Sequence, residues 1–425
     1  MAFRFVHTAD IHLDSPLKSL AMRNVSLYDL ISNATRQAFV RIVDLCLNEE
    51  VDALLIAGDL YDGDQTSMKT ARFFAEQLHR LDVAGIKTFI LRGNHDALSK
   101  ITKELVFPES VTTFGGRAQA ITLDRAGALP EIVIHGLSFS DSRAPESLLP
   151  KYRAPTPSAV NIGMMHTSLN GAPGHDPYAP CSVADLDGSG FAYWALGHIH
   201  KRATYIGASV VVMPGNPQAR DINENGQKSV SLVTVDDDGT ISVEERNVSI
   251  AQFERLNLDI ADIADWRDLI AEVAQALAKL RAAVTTEHLI VRLRLAGVSP
   301  LAWTTRRDID LLQQEIELQA DIVGATWLEK IELQFDVPPA ADSASGDTVM
   351  ELRQIIVDQV GPGDGFRTQM DEYASELIKG LPAELRNLLG ADEAQRFEIL
   401  DAIMQEGIDD VLARLRGPVG DGAAE

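Results

Sequence analysis

Residues 53–59 read ALLIAGD, an unbroken apolar run that ends at a glycine and an aspartate. Such a run predicts a strand that is buried on both faces of a sheet. Apolar residues at helical spacing precede it over 27–49, and a second helical pattern follows over 67–84. Short apolar stretches at 3–7 and 87–91 flank these helices, so the order is β-α-β-α-β, which predicts a layered α/β domain.

The strand pattern continues as far as residue 250. Further strands are predicted at 131–135, 160–166, 192–198, 210–213, 229–235 and 240–248. We expect the last three of these strands to form a meander, with a tight turn at Asp238-Gly239. The first domain is therefore predicted to span residues 1–250.

The rest of the chain changes character twice. Residues 251–337 alternate predicted strands and helices and form a small α/β module. Residues 338–347, PPAADSASGD, have the composition of a flexible linker. Residues 348–425 show helical patterns only, broken by glycine and proline at 361–363. We expect this helical segment to dock on a partner protein.

Composition limits the class of protein. Of 425 residues, 45% are hydrophobic, yet no apolar run reaches the ~18 residues that span a bilayer, and the N-terminus does not read as a secretory signal. The two cysteines stand in no CxxC arrangement, which argues against a disulfide framework or a cysteine zinc site. We therefore expect a soluble cytoplasmic protein without membrane contact.

The net charge of −24 argues against broad contact with nucleic acid, whose phosphates attract basic surfaces. The charge is unevenly distributed. Residues 1–250 hold 22 basic and 29 acidic side chains, whereas residues 251–425 hold 16 and 33. Most of the acidity thus lies outside the first domain, and bound divalent cations would offset part of what remains there.

Five short motifs follow predicted strands of the first domain. They are Asp10-x-His12, Gly58-Asp59, Gly93-Asn94-His95-Asp96, His166 and Gly197-His198-x-His200. Sites in α/β sheets form outside the carboxyl ends of strands, so we expect these motifs to converge. Carboxylate, imidazole and amide oxygen are suitable ligands for divalent manganese, iron, zinc or cobalt. An isolated pair of this kind would indicate an ordinary turn, but the ordered set, with five of the ten histidines, indicates a centre for two metal ions.

Two ions held about 3.5–4 Å apart would clamp a phosphate oxygen and create a hydroxide nucleophile at neutral pH. The motifs therefore predict hydrolysis of a phosphate ester.

In their amino-acid sequence these motifs resemble those of the calcineurin-like metallophosphoesterase superfamily. The segments that carry the resemblance are VHTADIHLDSPL (6–17), IAGDLYDGDQ (56–65), LRGNHDA (91–97) and ALGHIHKR (195–202). More narrowly they are similar to SbcD-type DNA repair nucleases and their YhaO-like branch, as are GHDPYAPCS (174–182) and MPGNPQARDINENG (213–226). The resemblance implies a four-layer sandwich of two central sheets flanked by helices. A small α+β capping domain and a helical C-terminal segment would follow.

The same resemblance implies a role for each matching residue. The first ion would be held by Asp10, His12 and His200. The second would be held by Asn94, His166 and His198. Asp59 would bridge the two ions. His95 would lie beside the phosphate, oriented by Asp96, and would stabilise the transition state or protonate the leaving oxygen.

One position departs from the pattern. Several SbcD-related nucleases carry a histidine three residues after the bridging aspartate, where it contacts the phosphate. This chain carries Asp62 there. An anion beside a phosphate is unfavourable unless a metal ion or an arginine screens it.

Further substrate contacts are predicted around these motifs, and most have a structural alternative. His175 and Tyr178 would touch substrate from a rim loop, or form an ordinary turn. Arg92 would contact phosphate or form an ion pair. Lys201 and Arg202 would meet a nucleic-acid backbone. Asn216 and Arg220 would support the site or form a plain turn, and His7 would have a supporting or core role.

The leading hypothesis is a manganese-dependent DNA repair exonuclease or endonuclease subunit. It would work with an SbcC-like or YhaN-like coiled-coil ATPase, and relatives suggest a homodimer. A phosphodiesterase or phosphatase for small molecules would use the same motifs. A third hypothesis, from a different class, is a non-catalytic scaffold of an ATPase complex.

Overall fold

The computed structural model describes residues 2–15, 25–62, 67–96, 107–123, 130–138, 144–170, 178–336, 348–361, 363–380 and 393–415. The strands are β1 (Phe3–Thr8), β2 (Ala53–Ala57), β3 (Lys87–Leu91), β4 (Val111–Thr113), β5 (Gln119–Leu123), β6 (Ile132–Gly136), β7 (Val160–His166), β8 (Tyr193–Gly197), β9 (Ala203–Ile206), β10 (Val210–Met213), β11 (Ser229–Val235), β12 (Ile241–Asn247), β13 (Ala251–Asp259), β14 (His288–Val298) and β15 (Thr326–Asp336). The helices are α1 (Val25–Asn48), α2 (Met68–Val83), α3 (Val183–Asp187), α4 (Trp266–Ala283), α5 (Ala302–Arg307), α6 (Ile309–Val323), α7 (Thr348–Ile355), α8 (Asp364–Gly380) and α9 (Glu393–Leu415). A π-helical turn, Ile356–Val360, continues α7.

The strands form three sheets. The first has the order β12-β11-β1-β2-β3-β4 and the second the order β5-β6-β7-β8-β10-β9. Strands β1, β2 and β3 are parallel, as are β6, β7 and β8, so their carboxyl ends share one edge in each sheet. The third sheet has the order β13-β14-β15.

Alternation along the parallel strands builds a layered core. Phe5, Leu55 and Phe89 point from the first sheet into a core shared with Ile162 and Tyr193 of the second sheet. The next residue along each of these first-sheet strands faces the opposite way, into a core with the side chains of α1 and α2. Because one face of the sheet packs on a sheet and the other on helices, both faces are apolar, which explains the continuous run ALLIA.

The outer face of the second sheet is also covered. Trp194, Leu196 and Met213 pack there with Leu186 of α3. Two mixed sheets flanked by helices are therefore present, as the predicted α/β metallophosphoesterase sandwich requires, and the fold class is confirmed.

The predicted meander of residues 210–248 is wrong in part. Strand β10 belongs to the second sheet, where it is parallel to β8 and antiparallel to β9. Strands β11 and β12 form the predicted hairpin, with Gly239 at φ +86°, but they extend the first sheet beside β1. The pattern of apolar residues sets a strand and its faces, but it carries no information about which strand lies alongside.

Beyond residue 250 the described elements follow the predicted alternation, with one difference. The second helical stretch of the predicted module is two helices, α5 and α6, which meet at Asp308. Thr348–Ile355, Ile356–Val360, Asp364–Gly380 and Glu393–Leu415 are helical, as predicted. The predicted linker, 338–347, lies outside the described residues.

The contacts divide the chain into two compact units. The first comprises Met1–Arg255, Arg281–Arg292 and Ala325–Glu329, and the second comprises Leu256–Leu280, Leu293–Gly324 and Lys330–Glu425. The predicted domain limits, 1–250, 251–337 and 348–425, remain predictions. Among the described helices, none combines the length and the apolar character needed to cross a bilayer.

Within the second unit the helical segment packs on its own chain. Trp303 of α5 forms a small core with Leu412 and Ala413 of α9, and Leu352 and Ile356 pack against it. Part of the apolar surface of this segment is thus buried within the unit.

Candidate metal centre

The predicted motifs lie at the carboxyl ends of β1, β2, β3, β7 and β8 in the first unit. The segments after β1 and β2 run side by side, because the Asp10 and His12 N–H groups donate to the Gly58 and Asp59 carbonyls at 3.0 and 3.1 Å. Asp10, His12, Asp59 and His198 all have positive φ, at 52°, 47°, 50° and 101°. Non-glycine residues rarely adopt this conformation, and it clusters at functional sites because the surroundings must hold it.

The first group of converging side chains is Asp10, His12 and His200, whose ligand atoms lie within 4.8 Å of one another. The Nε2 atoms of His12 and His200 are 3.2 Å apart. Nδ1 of each ring faces a carboxylate oxygen, which can only accept, so Nδ1 carries the proton and Nε2 presents a lone pair. Two lone pairs at this distance repel each other, and a cation between them removes the repulsion.

The second group is Asp59, His166 and His198, again within 4.8 Å. His166 Nδ1 donates to the Ala57 carbonyl at 2.9 Å, so its Nε2 is the free end of the ring. Asn94 Oδ1 lies 3.0 Å from His166 Nε2 and 3.2 Å from His198 Nδ1. Asn94 Oδ1 therefore lies beside the two histidines with which the resemblance grouped it.

Asp59 lies between the two groups. Its Oδ2 is 3.3 Å from Nε2 of His166 and 4.0 Å from Nε2 of His12. Its Oδ1 accepts the backbone N–H of His95 at 3.0 Å. This is the position that a bridging ligand requires.

Glycine is needed beside these ligands. A Cβ on Gly93 would overlap the Asp59 carboxylate and the His166 ring. A Cβ on Gly58, at φ +98°, would also overlap His166. The two glycines thus allow ligands from three strands to approach one another.

The electrostatics of the centre favour added positive charge. Asp10 and Asp59 are only 1% and 2% exposed, and buried carboxylates need paired charge or a metal ion. Burial acts to lower the pKa of His166, but the Asp59 and Asp10 carboxylates raise it to about 9. The two carboxylates therefore stabilise a positive charge at Nε2 of His166, whether it is carried by a proton or by a metal ion. Burial lowers the pKa of His12, which keeps that ring neutral, as a ligand must be. The residues present thus fit two divalent ions.

His95 borders the centre but belongs to neither group. Its side chain is 46% exposed, and its Nδ1 lies 3.2 Å from Asp62 Oδ1. This hydrogen bond raises the pKa of His95 above its usual value. An accessible imidazole whose protonated form is favoured in this way is suited to donate a proton.

The resemblance implied that Asp96 orients His95, but the structure places Asp96 elsewhere. The buried Asp96 carboxylate accepts the backbone N–H groups of Leu60 and Tyr61, each at 2.8 Å. Burial, and then the neighbouring Asp59, raise the pKa of Asp96 to about 7. Asp96 thus ties the loop after β3 to the loop after β2, and the carboxylate that holds His95 is Asp62.

Tyr178 is also placed differently from the prediction. It is 3% exposed, and its ring stacks on His198 at a centroid distance of 5.4 Å and meets His166 edge-on. A buried ring in this position supports two histidines rather than forming a substrate-contacting rim. His175 lies outside the described residues.

The basic candidates have different surroundings. Arg202 pairs with Glu245 at 3.4 Å, while Lys201 is exposed to solvent. Arg92 lines a small apolar cavity with Leu60 and Phe74. Contact of these three side chains with a phosphate remains a prediction.

Two acids that support the histidines could not be recognised as such in the sequence. Glu224 lies 2.6 Å from His200 Nδ1, and Asp62 lies 2.7 Å from His12 Nδ1. Asn216 and Arg220 both contact Glu224, so they support the site rather than form a plain turn. His7 is buried and bonds the Tyr193 hydroxyl and the Leu196 carbonyl, which is a core role. No spacing signal marks Glu224, because its partner lies 24 residues away.

Comparison with known proteins agrees with this centre. The family model described as calcineurin-like phosphoesterase matches residues 3–202. The model described as the middle domain of metallophosphoesterase YhaO matches residues 253–336.

Three curated relatives align with half of the chain or more. The metallophosphoesterase YhaO of Bacillus subtilis (strain 168) is 34% identical over 70% of this chain and 72% of its own length. The DNA double-strand break repair protein Mre11 of Sulfurisphaera tokodaii is 26% identical over 50% of this chain and 54% of its own. The D subunit of nuclease SbcCD from Escherichia coli (strain K12) is 26% identical over 63% and 75%. With the ligand geometry, the first of these similarities is decisive: the chain belongs to the calcineurin-like metallophosphoesterase family and is a homologue of YhaO and, more distantly, of SbcD and Mre11.

Proposed function

We propose that this metallophosphoesterase is a manganese-dependent DNA nuclease that acts in DNA repair. The observation that supports it best is the convergence, on one edge of the sandwich, of two ligand groups with Asp59 between them. Relatives whose names describe a DNA double-strand break repair protein and one subunit of a nuclease support the choice of DNA as substrate.

In this proposal each ion has its own ligands. Asp10, His12 and His200 hold the first ion, and Asn94, His166 and His198 hold the second, with Asp59 shared. When bound, the two ions supply Lewis-acid polarisation of the phosphate and a nucleophile derived from water. A ligand set with four imidazoles is unfavourable for magnesium, which prefers oxygen ligands and retains its water, and manganese is the proposed metal because it binds imidazole more readily.

His95 supplies the proton that the leaving oxygen needs. Asp62 holds its Nδ1, so its Nε2 is the end of the ring available to substrate. The ring is half exposed, which leaves room for a phosphodiester beside it. Positioned acid catalysis of this kind contributes roughly 10²–10⁴-fold to a rate.

The proposal extends to partners and location. A relative named as one subunit of the nuclease SbcCD supports assembly with a second protein chain. We propose an SbcC-like or YhaN-like coiled-coil ATPase, bound by the helical segment, with a homodimer of this chain and a cytoplasmic location. From residue 338 onward the chain holds 18 acidic and 7 basic residues, so this segment suits a protein partner better than DNA.

The experiment compares hydrolysis of labelled linear duplex DNA, single-stranded DNA and bis-p-nitrophenyl phosphate by the manganese-loaded protein. DNA cleavage that disappears in His95→Ala is the expected result. Turnover of the small diester without DNA cleavage would favour a phosphodiesterase for small molecules. No hydrolysis that depends on His95 in either assay would favour a scaffold.

A further inference from the structure

Asp62 lies three residues after Asp59, and its carboxylate contacts two histidines of this chain. Oδ1 accepts hydrogen bonds from Nδ1 of His12 at 2.7 Å and from Nδ1 of His95 at 3.2 Å. Oδ2 accepts the Ser15 hydroxyl and lies 3.3 Å from Nη1 of Arg220. The guanidinium therefore screens the carboxylate that would otherwise repel a phosphate.

Glu224 has the same arrangement around a third histidine. Its Oε1 lies 2.6 Å from Nδ1 of His200 and 2.9 Å from Nη2 of Arg220. Its Oε2 accepts the backbone N–H of Arg220 at 2.8 Å and the Asn216 amide at 2.9 Å. Four hydrogen bonds fix this carboxylate, which is only 11% exposed.

Arg220 joins the two carboxylates. One guanidinium nitrogen faces Asp62 and the other faces Glu224, and the side chain is 19% exposed. A planar guanidinium holds two acceptors in a fixed relation, which a lysine ammonium cannot do. The acid beside His12 and the acid beside His200 thus form one connected unit.

We infer that Asp62, Arg220 and Glu224 form a positioning bracket for the histidines of the first ion group. The bracket fixes the tautomer of both rings, because a carboxylate only accepts hydrogen bonds and so leaves the proton on Nδ1. It also fixes the rotation of both rings. The Nε2 atoms of His12 and His200 therefore face one shared position and lie 3.2 Å from each other. Acceptors behind metal-bound histidines commonly act in this way.

The bracket also reaches the proposed acid. Asp62 Oδ1 is shared by His12 and His95, whose rings lie edge to face at a centroid distance of 5.2 Å. One carboxylate therefore positions a ligand of the first ion and the group that faces the leaving oxygen. The positioning of His95 by Asp62 rests on the proposed function. The effect of the bracket on ion binding does not rest on it.

An ion site made by His12, Asp62 and His95 is the competing interpretation, since their ligand atoms also lie within 4.8 Å. Arg220, only 3.3 Å from Asp62, opposes a further cation there. The bracket therefore predicts two ions per chain, not three.

The first test titrates manganese into the chelator-stripped full chain by calorimetry. Wild type should bind two ions. Glu224→Ala should weaken one of them about 10–100-fold and leave the other unchanged. Glu224→Gln should recover most of that affinity, because the glutamine oxygen still accepts the hydrogen bond from His200 Nδ1. If Glu224 were merely structural, the two variants would not differ in their affinity for manganese.

Glu245→Ala is the matched control. Glu245 also pairs with an arginine, Arg202 at 3.4 Å, but the described contacts join it to no histidine. Its manganese affinities should equal those of wild type. Unchanged affinities in Glu224→Ala, equal losses in Glu224→Ala and Glu224→Gln, or a third ion in wild type would each overturn the bracket.

The second test separates the two carboxylates through kcat on bis-p-nitrophenyl phosphate. The loss of kcat in Glu224→Ala should become smaller as the manganese concentration is raised. The deficit of Asp62→Ala should persist at saturating manganese, with KM little changed, because His95 has also lost its partner. A deficit in Asp62→Ala that excess manganese removes would contradict the link to His95.

These outcomes are distinct from failure of the proposed function. Wild type that binds two ions and turns over the small diester, but cleaves no DNA, would refute the DNA nuclease and leave the bracket testable. DNA cleavage with normal ion binding in Glu224→Ala would refute the bracket and leave the nuclease intact.

Discussion

At the scale of single residues, the centre assigns different work to side chains that are neighbours in sequence. Asn94, His95 and Asp96 are consecutive, yet Asn94 faces two ring nitrogens, His95 is half exposed beside Asp62, and Asp96 binds backbone amides. The loop after β3 turns within these residues, so each side chain leaves in its own direction. A substitution at one position should therefore have an effect unlike that of the next.

Asp59→Ala and His95→Ala should separate ligand from acid. Asp59→Ala should lose both ions and catalysis, because Asp59 lies between the two groups. His95→Ala should keep the ions and lose turnover by roughly 10²–10⁴-fold. Metal analysis of both purified variants, beside their rates on bis-p-nitrophenyl phosphate, is the measurement. Equal metal loss in the two variants would make His95 a ligand instead.

At the scale of elements, the helical segment has both buried and exposed apolar residues. Leu412 of α9 is 0% exposed and packs on Trp303, whereas Val411, the preceding residue on a different side of the helix, is 52% exposed. Arg306 and Asp410 form an ion pair at 3.3 Å beside this contact. One side of α9 is therefore buried within the second unit, and another side is exposed among the described residues.

Leu412→Ala should release α9 from α5. Truncation of a fully buried leucine costs about 2–5 kcal/mol, because the transfer of the side chain is lost and a cavity remains. Leu415→Ala, at an exposed position of the same helix, should change stability by less than about 0.5 kcal/mol. Denaturant unfolding, together with limited proteolysis of the helical segment, measures both. Similar losses in the two variants would mean that the Trp303 contact contributes little.

At the scale of the whole molecule, the centre joins the two sheets of the sandwich. The first sheet supplies Asp10, His12, Asp59 and Asn94, and the second supplies His166, His198 and His200. Ligand binding that requires both sheets stabilises the folded chain over the unfolded chain, in which these residues are far apart. Metal binding should therefore affect both stability and activity.

Manganese should raise the unfolding temperature of the chelator-stripped protein and restore hydrolysis, whereas magnesium should do little of either. The reason is the ligand set, since magnesium prefers oxygen ligands and retains its water, while the centre offers four imidazoles. An ion at 100 times its Kd adds about 2.7 kcal/mol to the free energy of unfolding. Thermal unfolding and bis-p-nitrophenyl phosphate hydrolysis with each metal alone are the measurements. Full activity with magnesium as the only metal would count against this centre.

The sequence by itself determined most strands of the first domain, the two long helices that flank them and the strand ends at which the motifs lie, but it did not indicate β4, β5 or β9. The run ALLIA, ending at Gly58-Asp59, had to be a buried strand, and parallel strands of one sheet bring their carboxyl ends to one edge. That rule places Asp10, Asp59 and Asn94 at one edge of the first sheet and His166 and His198 at one edge of the second sheet. These properties are local, because apolar spacing is set by the period of each strand or helix.

Only the tertiary structure decided which acid supports which histidine, and which sheet receives β10. Asp62 and His12 are 50 residues apart, and Glu224 and His200 are 24 apart. Asp96 is adjacent to His95 in sequence, yet the carboxylate that contacts the His95 ring is that of Asp62. A carboxylate forms its hydrogen bonds with whatever donor the packed chain brings within about 3 Å, and that depends on the course of the backbone rather than on spacing along it. The meander failed for the same reason, since the partner of a strand is chosen by packing between distant segments.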